Sequence, residues 1–400
     1  MNTKFIDQIP GNIAGAWRFS FERLYCEKTK LFYDRLTEDT PDGAISHLPT
    51  PEMIARQVPN PCGWGTGMED CAINGGVMID AVLTLYQKTG NLELVPILHE
   101  MMEGYLSLVT VSSQEGFLAR GISPVDGRSH YINSSRDQYT HWVDAALLFY
   151  ESGLATREEK AAIVKALEGF ARKAEREIYG DHFEYLREDG QIGAVCKMRG
   201  EIDAHEYLRL PMIYLAAYRA SGDSHWLDKY LEYREEAFVG SEQLYEDGYM
   251  NRFTYAYALL QMQYSLRLIY REDPDTDYRQ RAQKLMEFVA EYSHRYTYDG
   301  LEEVNAPHTE LAVGDWRDMR ARLAEFTSGY GYYIPVMPGG TRVVHMRNAA
   351  EAIIMQCLCH GSAITVEQKE MFDYMVENTD FSAARCYWTN LFCTAWVMLL

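Results

Sequence analysis

The chain has 400 residues, 47% of them hydrophobic, which is enough to bury a sizeable core. Its formal net charge of −20 at pH 7 argues against nucleic acid as a partner, because few cations would neutralise the phosphates. The same charge argues against binding to anionic membrane surfaces. A small anionic substrate remains compatible with it, since a few arginines in a pocket outweigh a distant acidic surface.

The eight cysteines are scattered, without the spacing of a zinc finger or of a redox-active pair. The N-terminal stretch lacks the apolar segment of a signal peptide, and no run approaches the ~18 apolar residues of a membrane span. We therefore expect free thiols in a reducing compartment, with a cytoplasmic location. The sequence leaves homo-oligomerisation open.

Apolar residues recur at helical spacing over residues 12–36, and prolines then interrupt residues 37–68. From residue 69 onwards the chain repeats a two-helix unit. In each unit a helix that is apolar nearly all round precedes an amphipathic helix, which predicts an inner and an outer helix. The predicted pairs are 69–88 with 92–111, 135–152 with 156–178, 203–220 with 224–238, 252–270 with 277–297, and 345–360 with 366–378. A last apolar helix, 388–400, is expected to pair with 12–36.

These units make about six helical hairpins and predict an all-α (α/α)6 toroid that spans residues 1–400 as one domain. Turns within the pairs are short and glycine-rich, whereas the connections between pairs are long, so one face carries long loops and function. Short strands are expected in two of these loops, at 190–196 and 341–345. An open helical solenoid is the alternative architecture.

The first residues of the inner helices converge on one central cavity in a toroid, and in this chain they are polar and aromatic. Acids and histidines there can carry acid–base chemistry, while aromatic rings and arginines can hold a sugar and its carboxylate. The catalytic candidates are Glu69, Asp70, Asp137, His141, His205 and Glu206. The substrate-binding candidates are Trp64, Arg136, Arg199, Arg252, Tyr255, Trp316, Arg347 and Trp388.

Each of these residues also has a purely structural explanation. A carboxylate at a helix start is an ordinary N-cap worth about 1 kcal/mol, and a single Trp or Arg is as readily a core or surface residue. Asp137, His141 and Asp144 share one helix face at spacings i, i+4 and i+7, so this face lines the cavity or is satisfied internally. We expect Asp137, nearest the mouth, to be functional, whereas Asp144 fits a bond between helices equally well.

The sequence predicts no metal and no cofactor. His205 starts a segment like that of a zinc-protease helix, but Arg209 occupies the position of the second histidine. The chain lacks a P-loop, and the glycines at 63–67 have no preceding strand, as a dinucleotide-binding turn would need. A Gly-x-Ser-x-Gly nucleophile elbow is absent as well, so glycoside cleavage by paired carboxylates fits best.

Over nearly the whole chain, the repeat of helical hairpins resembles that of the six-hairpin glycosidase superfamily. The segment 135–138, Ser-Arg-Asp-Gln, is similar to the segment that bears the catalytic aspartate of unsaturated glucuronyl and rhamnogalacturonyl hydrolases. Asp70 resembles the second inward acid of that group. The Trp-x-Arg-Gly-x-Gly-Trp loop of the group has no counterpart, since the nearest stretch, 314–320, does not match. The chain is therefore more similar to the saturated β-glucuronidases of glycoside hydrolase family 154, which share the toroid.

The residues and the resemblance together predict an exo-acting glycoside hydrolase. Its expected substrate is a small plant or algal oligosaccharide, from which it removes a terminal uronic acid, foremost β-glucuronic acid. Asp70 and Asp137 are the expected acid and base, with Glu69 or Glu206 able to replace either. The two histidines would tune pKa values or bind hydroxyls, and Arg136, Arg199, Arg252 and Arg347 would hold the carboxylate.

Other functions fit the same pattern. An unsaturated uronyl hydrolase, or a polysaccharide lyase that uses Tyr139, His141, His205 and Tyr255 for β-elimination, would suit the same toroid. A sugar epimerase is a further enzymatic alternative. A non-catalytic helical binding scaffold is the remaining one, and it predicts that the two central aspartates are solvated helix caps without a shared cavity.

Overall fold

A computed structural model describes residues 3–35, 47–252, 255–304, 315–325, 331–335, 340–359, 364–384 and 386–400. In chain order, the α-helices in these ranges are α1 (Ile13–Phe19), α2 (Pro51–Ala55), α3 (Cys71–Thr89), α4 (Leu94–Thr110), α5 (Arg136–Glu151), α6 (Arg157–Glu177), α7 (Arg209–Ser221), α8 (Ser224–Ser241), α9 (Ala256–Glu272), α10 (Thr276–Thr297), α11 (Asp299–Val304), α12 (Gly340–Leu358), α13 (Val366–Asn378) and α14 (Trp388–Leu399). Antiparallel pairs join β1 (Tyr25–Cys26) to β2 (Leu31–Phe32), β3 (Glu184–Leu186) to β4 (Ile192–Lys197), and β5 (Ala321–Glu325) to β6 (Gly331–Pro335). None of these described helices has both the length and the apolarity that a bilayer crossing requires.

The inner helices form a closed ring. Helices α3, α5, α7, α9, α12 and α14 pack side by side in this order, and α14 packs back against α3. The amphipathic helices α4, α6, α8 and α10 each pack against the inner helix that precedes them. A solenoid would leave its first and last units apart, so this closure confirms the (α/α)6 toroid and excludes the open architecture.

Small residues let neighbouring inner helices approach closely. A Cβ added at Gly76 of α3 would lie 2.8 Å from the hydroxyl of Tyr105 and 3.1 Å from the carbonyl oxygen of His141. Trp142 of α5 stacks on Tyr105 with ring centroids 5.6 Å apart and donates from Nε1 to its carbonyl at 3.0 Å. Such a pair adds about 0.5–1.5 kcal/mol to simple burial. The starts of α3 and α5 are therefore held in a fixed relation to each other.

The helix ends at the described turns follow the predicted plan of short connections within a hairpin. Gly90 and Gly222 end α3 and α7 in the left-handed conformation, with φ of 67° and 75°, which closes the helix C-terminus. Thr156 and Glu159 form a capping box at the start of α6. The long connections, including β3–β4 and β5–β6, precede the inner helices and so lie beside their starts.

The predicted N-terminal helix, 12–36, is shorter than expected. Helix α1 ends at Phe19, and a π-helical turn, Ser20–Leu24, leads into the β1–β2 hairpin. The turn of this hairpin uses a left-handed φ of 58° at Lys30. Gly104 of α4 leaves room for it, because a Cβ there would lie 2.1 Å from the Lys30 carbonyl oxygen. Apolar residues at helical spacing are thus buried here without a continuous helix.

Two further segments test the predicted elements. The strand expected at 190–196 is confirmed by β4, whereas the strand expected at 341–345 is wrong because these residues belong to α12. Helix α7 starts at Arg209 rather than at 203, after a 3-10 turn at Ala204–Glu206. Pro211 accounts for the later start, since proline is tolerated in the first turn of a helix and not further in.

Candidate active site

Asp70 occupies the N-cap position of α3, but its side chain does not cap the helix. Its Oδ1 instead accepts a hydrogen bond of 2.9 Å from Nη2 of Arg120 and one of 2.8 Å from Nε2 of Gln138. Among the described residues none donates to Oδ2, and 31% of the side chain is exposed. The carboxyl group is therefore held through one oxygen and accessible at the other.

The surroundings of Asp70 favour its protonated form. Burial raises the pKa of the carboxyl above its usual value, and the neighbouring charge of Glu69 raises it further. The charges of Arg120 and Arg347 lower the pKa without cancelling the rise. The carboxyl of Asp70 therefore keeps its proton to a higher pH than an ordinary aspartate does.

Asp137 lies in the first turn of α5, whose N-cap is supplied by the Ser135 hydroxyl. Its Oδ1 accepts a hydrogen bond from Nη1 of Arg209, a side chain that is only 1% exposed. Burial alone would raise the pKa of Asp137, but the charges of Arg209 and Arg136 outweigh it and hold the pKa at about 2. Asp137 is therefore ionised at neutral pH, with 19% of its side chain exposed.

Asp70 and Asp137 belong to one cluster. They begin the neighbouring inner helices α3 and α5, and the charge of Asp137 acts on the pKa of Asp70. Gln138, which follows Asp137 in the chain, donates to Asp70 and so ties the two helix starts together. Environments that push two carboxyl pKa values apart are typical of sites with one proton donor and one carboxylate.

Glu69 faces the glycine-rich turn before α3 rather than the open side of the cluster. Its carboxylate pairs with Arg35 and accepts from the backbone N–H of Gly65 at 2.9 Å and of Gly67 at 2.6 Å. Burial opposes ionisation, but Arg35 and these N–H groups outweigh it and lower the pKa. Both glycines have left-handed φ, of 87° and 88°. Glu69 thus anchors the turn and has no free oxygen for a substrate.

Glu206 and His205 form a second buried group, between the starts of α5 and α7. Glu206 pairs with Arg136, which also donates to the carbonyl of Lys197 at 3.2 Å, and Nε2 of His205 lies 3.4 Å from Glu206 Oε1. Asp203, His205 and Glu206 bring one potential metal ligand each within 4.8 Å. The guanidinium of Arg136 already supplies the positive charge at Glu206, so this arrangement disfavours a cation.

His141 lies one turn below Asp137 on the same face of α5, as its spacing predicted. It is 4% exposed, and its ring meets the ring of Tyr264 edge-on at 5.0 Å. Burial lowers its pKa to about 3, although the charge of Asp137 acts in the opposite direction. The imidazole is therefore neutral at neutral pH and only weakly basic.

Arg347 brings a positive charge to the cluster from α12. Its Nε donates to Glu351 at 2.7 Å, its Nη1 to the hydroxyl of Tyr387 at 2.7 Å, and its guanidinium lies 4.5 Å from the ring centroid of Tyr257. Among the described residues Nη2 has no hydrogen-bond partner, and 20% of the side chain is exposed. The charge of Arg347 acts on the pKa of Asp70, which assigns it to the same site.

Trp64 forms one wall beside Asp70. The guanidinium of Arg120 lies 5.2 Å from its ring centroid, and the ring of Tyr332 from β6 lies 6.1 Å away. The β5–β6 hairpin is fixed to the glycine-rich turn, because Nδ2 of Asn60 donates to the carbonyl of Tyr333 at 3.1 Å. An aromatic surface of this kind can pack against a sugar ring.

Three predicted substrate-binding residues lie away from the cluster. Arg199 donates to Glu236 on the outer helix α8 at 2.7–2.9 Å, so its charge is used on the periphery. Trp316 is buried and donates from Nε1 to the carbonyl of His47 at 2.6 Å. Trp388 is fully buried in the hydrophobic core, so its ring is not a surface on which a sugar could pack.

Two others lie on the segment before α9. Tyr255 is half-exposed, with its ring 5.7 Å from that of Tyr257. The side chain of Arg252 is outside the described part of the structure. Tyr257 itself was not predicted, yet burial raises its pKa to about 12 and the charges of Asp137 and Arg347 act on it. Tyr257 therefore belongs to the surroundings of the acid cluster.

Several residues of the cluster carried no clear sequence signal. Arg120 comes from the long loop 112–134, where no periodicity marks its position. Arg209 stands out in the sequence only because it occupies the position of the second histidine of a zinc motif. Asp34 and Arg35 fell inside the predicted helix 12–36. The sequence does show an excess of arginine near the starts of the inner helices. This excess does not indicate which arginine pairs with which acid.

No protein-family model matches the chain, and no curated protein matches it. Among solved structures, a sugar epimerase from a ruminal bacterium is similar over 96% of this chain and 98% of its own, with 10% identity and a TM-score of 0.48. A D-mannose isomerase is similar over 100% of this chain and 98% of its own, with 10% identity and a TM-score of 0.49. Likeness at this level assigns no activity to the chain, whose toroid is established by the closed ring of inner helices.

Proposed function

We propose that the protein is a glycoside hydrolase that releases a terminal uronic acid, foremost β-glucuronic acid, from an oligosaccharide. One observation carries the proposal: Asp70 has a raised pKa, while Asp137, at the start of the next inner helix, has a pKa of about 2. Cleavage of a glycosidic bond needs a protonated carboxyl near the leaving oxygen and a second carboxylate near the anomeric carbon. Asp137 supplies the ionised carboxylate at neutral pH, and Asp70 keeps its proton to a higher pH than an ordinary aspartate does.

The contacts assign the roles. Arg120 and Gln138 both donate to Oδ1 of Asp70, so the proton of the acid resides on Oδ2, the oxygen without a donor among the described residues. Asp70 passes this proton to the glycosidic oxygen as the bond breaks. Asp137, kept ionised by Arg209, activates water or stabilises the positive charge that develops at the anomeric carbon.

Arg347 is the arginine best suited to hold the uronate. Arg136 and Arg199 are already engaged by Glu206 and Glu236, whereas Nη2 of Arg347 has no partner among the described residues. A guanidinium group pairs well with a carboxylate through a charge-assisted hydrogen bond. Its position near Asp70 would place the sugar carboxylate beside the bond to be cleaved.

The environment of His141 favours hydrolysis over elimination or epimerisation by this residue. Both alternatives begin with removal of a carbon-bound proton, which calls for a base whose pKa lies near the working pH. The pKa of His141 is about 3, because the ring is buried, so it is poorly suited to that task. Paired carboxylates with separated pKa values support hydrolysis directly.

The test is the product formed from an aryl β-glucuronide by the wild-type protein, by Asp137→Asn and by the loop variant Asp126→Asn as a matched control. We expect free glucuronic acid from wild type and the control, and a loss of at least about 100-fold in Asp137→Asn. Inactivity of wild type on all terminal uronides, or full activity of Asp137→Asn, contradicts the proposal. An ultraviolet-absorbing unsaturated product, or an isomer formed without bond cleavage, would point to a lyase or an epimerase instead.

A further inference from the structure

Behind Asp70 lies a third carboxyl group, that of Asp34, which the proposed reaction does not use. Asp34 is 1% exposed and lies between β2 and Arg35. Its backbone N–H donates to the carbonyl of Gly67 at 2.9 Å, and its carbonyl accepts from the N–H of Tyr387 at 2.8 Å. Its Oδ1 accepts a hydrogen bond from Nδ2 of Asn74 on α3. Asp34 is therefore fixed to the glycine-rich turn, to α3 and to the segment before α14.

The carboxyl group of Asp34 has a second acid, Glu69, as a neighbour. Oδ2 of Asp34 is buried and has no donor among the described residues. Asp34 donates from its backbone to the carbonyl of Gly67, and the N–H of Gly67 donates to Glu69, so the two acids flank one turn. Neighbouring carboxylates in a buried site disfavour ionisation of both, so we expect the pair to hold one proton.

The contacts of Glu69 decide which acid holds that proton. Arg35 and the N–H groups of Gly65 and Gly67 all donate to Glu69, and all of them favour its ionised form. Among the described side chains, the neutral amide of Asn74 is the donor to Asp34. If Oδ2 of Asp34 carries the hydrogen, this buried oxygen can donate a hydrogen bond to Glu69.

The charges around Asp34 point in the same direction. The titratable groups that face it are Glu69, Asp70, Arg35, Tyr33, Cys71 and Cys386. Burial raises the pKa of the Tyr33 phenol and of both thiols, so these groups are neutral. Arg35 contributes one positive charge, which offsets the carboxylate of Glu69. Burial and the charges of Glu69 and Asp70 raise the pKa of Asp34 well above its usual value.

We propose that Asp34 is a positioning residue that stays protonated at neutral pH and donates its carboxyl hydrogen to Glu69. The cluster of Asp34, Arg35 and Glu69 then carries no net charge. It fixes the glycine-rich turn against the start of α3 and limits the repulsion that acts on Asp70. Only this last consequence rests on the proposed function, because the proton on Asp34 does not depend on any reaction.

The test compares thermal unfolding of wild type and Asp34→Asn between about pH 2 and pH 8, without substrate. A carboxyl whose folded-state pKa is raised contributes stability that is present below its unfolded pKa of about 3.9 and lost as pH rises through the folded value. Asparagine keeps the shape, accepts from Asn74, donates to Glu69 and has no such loss. We therefore expect the Tm of Asp34→Asn, relative to wild type, to rise with pH. A relative Tm that stays level above about pH 4, or that falls as pH rises, means an ionised Asp34 and overturns the proposal.

An exposed, ionised aspartate provides the control of opposite sign. The pKa of Asp126 is lowered by hydrogen bonds from Ser129 and Arg128, although slight burial opposes them. Asp126→Asn should therefore lose Tm relative to wild type as pH rises to about 4, and the difference should stay level above that pH. This variant shows that the comparison can report an ionised carboxylate.

A second measurement covers the case in which Asp34→Asn folds poorly. Other carboxyls with a raised pKa, such as Asp70, contribute to the infrared spectrum of the wild-type protein, so the measurement is the difference spectrum of wild type minus Asp34→Asn at neutral pH. This difference should contain the carbonyl stretch of one protonated carboxylic acid, whereas wild type minus Asp126→Asn should lack it. A difference spectrum for Asp34→Asn without this band contradicts the proposal. Neither measurement involves hydrolysis, so a protein without glycosidase activity would still decide the protonation of Asp34.

Discussion

Gln138 donates a hydrogen bond of 2.8 Å from Nε2 to Oδ1 of Asp70, which joins the start of α5 to the start of α3. The residue before Gln138 is Asp137, the ionised acid of the pair. One short segment of α5 therefore supplies a carboxylate and also orients its partner. The packing of α5 against α3 therefore holds Asp70 and Asp137 in one cluster. Several measurable consequences depend on this pairing.

Substitution of Arg120 should change the pH dependence of the proposed reaction. Its charge lowers the pKa of Asp70 against the effects of burial and of Glu69. In Arg120→Met the pKa of Asp70 should rise further, because its ionised form loses a partner. The upper limb of the kcat/KM profile should therefore move to higher pH. Arg172→Met, on the outer helix α6, is the control and should leave the profile in place; a shift to lower pH in Arg120→Met would contradict the assignment of Asp70 as the acid.

Removal of Arg209 should destabilise the fold and raise the pKa of Asp137. Arg209→Met leaves a buried carboxylate without its cation, which costs about 3–5 kcal/mol in the free energy of unfolding at neutral pH. In the wild type, the lowered pKa of Asp137 contributes roughly 2 kcal/mol above pH 4, and this is lost as pH falls through about 2. Denaturant unfolding across this range measures both effects.

A double variant isolates the charge at this position. Asp137→Asn added to Arg209→Met removes the uncompensated carboxylate, so part of the lost stability should return. If the double variant is instead as unstable as the sum of the two single variants, the loss comes from packing rather than from the ion pair.

Arg347 should determine the preference for a uronic acid. Arg347→Met removes a charge-assisted hydrogen bond to the substrate carboxylate, so kcat/KM on an aryl β-glucuronide should fall about 10- to 150-fold. Activity on the matching aryl β-glucoside, which has no carboxylate, should not fall. Arg199→Met serves as the control, because Arg199 pairs with Glu236 on the outside of the ring. Equal losses in the two arginine variants would remove Arg347 from its proposed role.

Much of the architecture could be predicted from the sequence. A repeated pair of helices, one apolar all round and one amphipathic, buries its apolar surface well when the first helices form an inner ring and the second ones surround it. The positions of Asp70 and Asp137 could be predicted from the same repeat of helical pairs, because the starts of the inner helices converge. The N-terminal region could not be predicted in this way. Its apolar residues are buried at helical spacing, yet the space beside Gly104 accommodates a hairpin turn there.

The partner of each charged side chain could not be predicted from the sequence, for a different reason. Arg120 and Asp70 are 50 residues apart, and Arg209 and Asp137 are 72 apart, so no local spacing links them. Arg136 and Arg199 looked equally suited to a substrate carboxylate, but Glu206 and Glu236 engage them within the protein. Which arginine remains for a ligand depends on three-dimensional packing rather than on residue type.

The central claim, that Asp70 is the acid and Asp137 the carboxylate, is tested most directly by leaving-group dependence. The measurement is kcat/KM of wild type, Asp70→Asn and Asp137→Asn on phenyl and on 2,4-dinitrophenyl β-glucuronide. Asp70→Asn should lose about 10²- to 10⁴-fold on the phenyl substrate and far less on the dinitrophenyl one, whose leaving group needs no proton. Asp137→Asn should lose activity on both. Equal losses for Asp70→Asn on the two substrates, or a selective loss for Asp137→Asn on the phenyl substrate, would contradict the account.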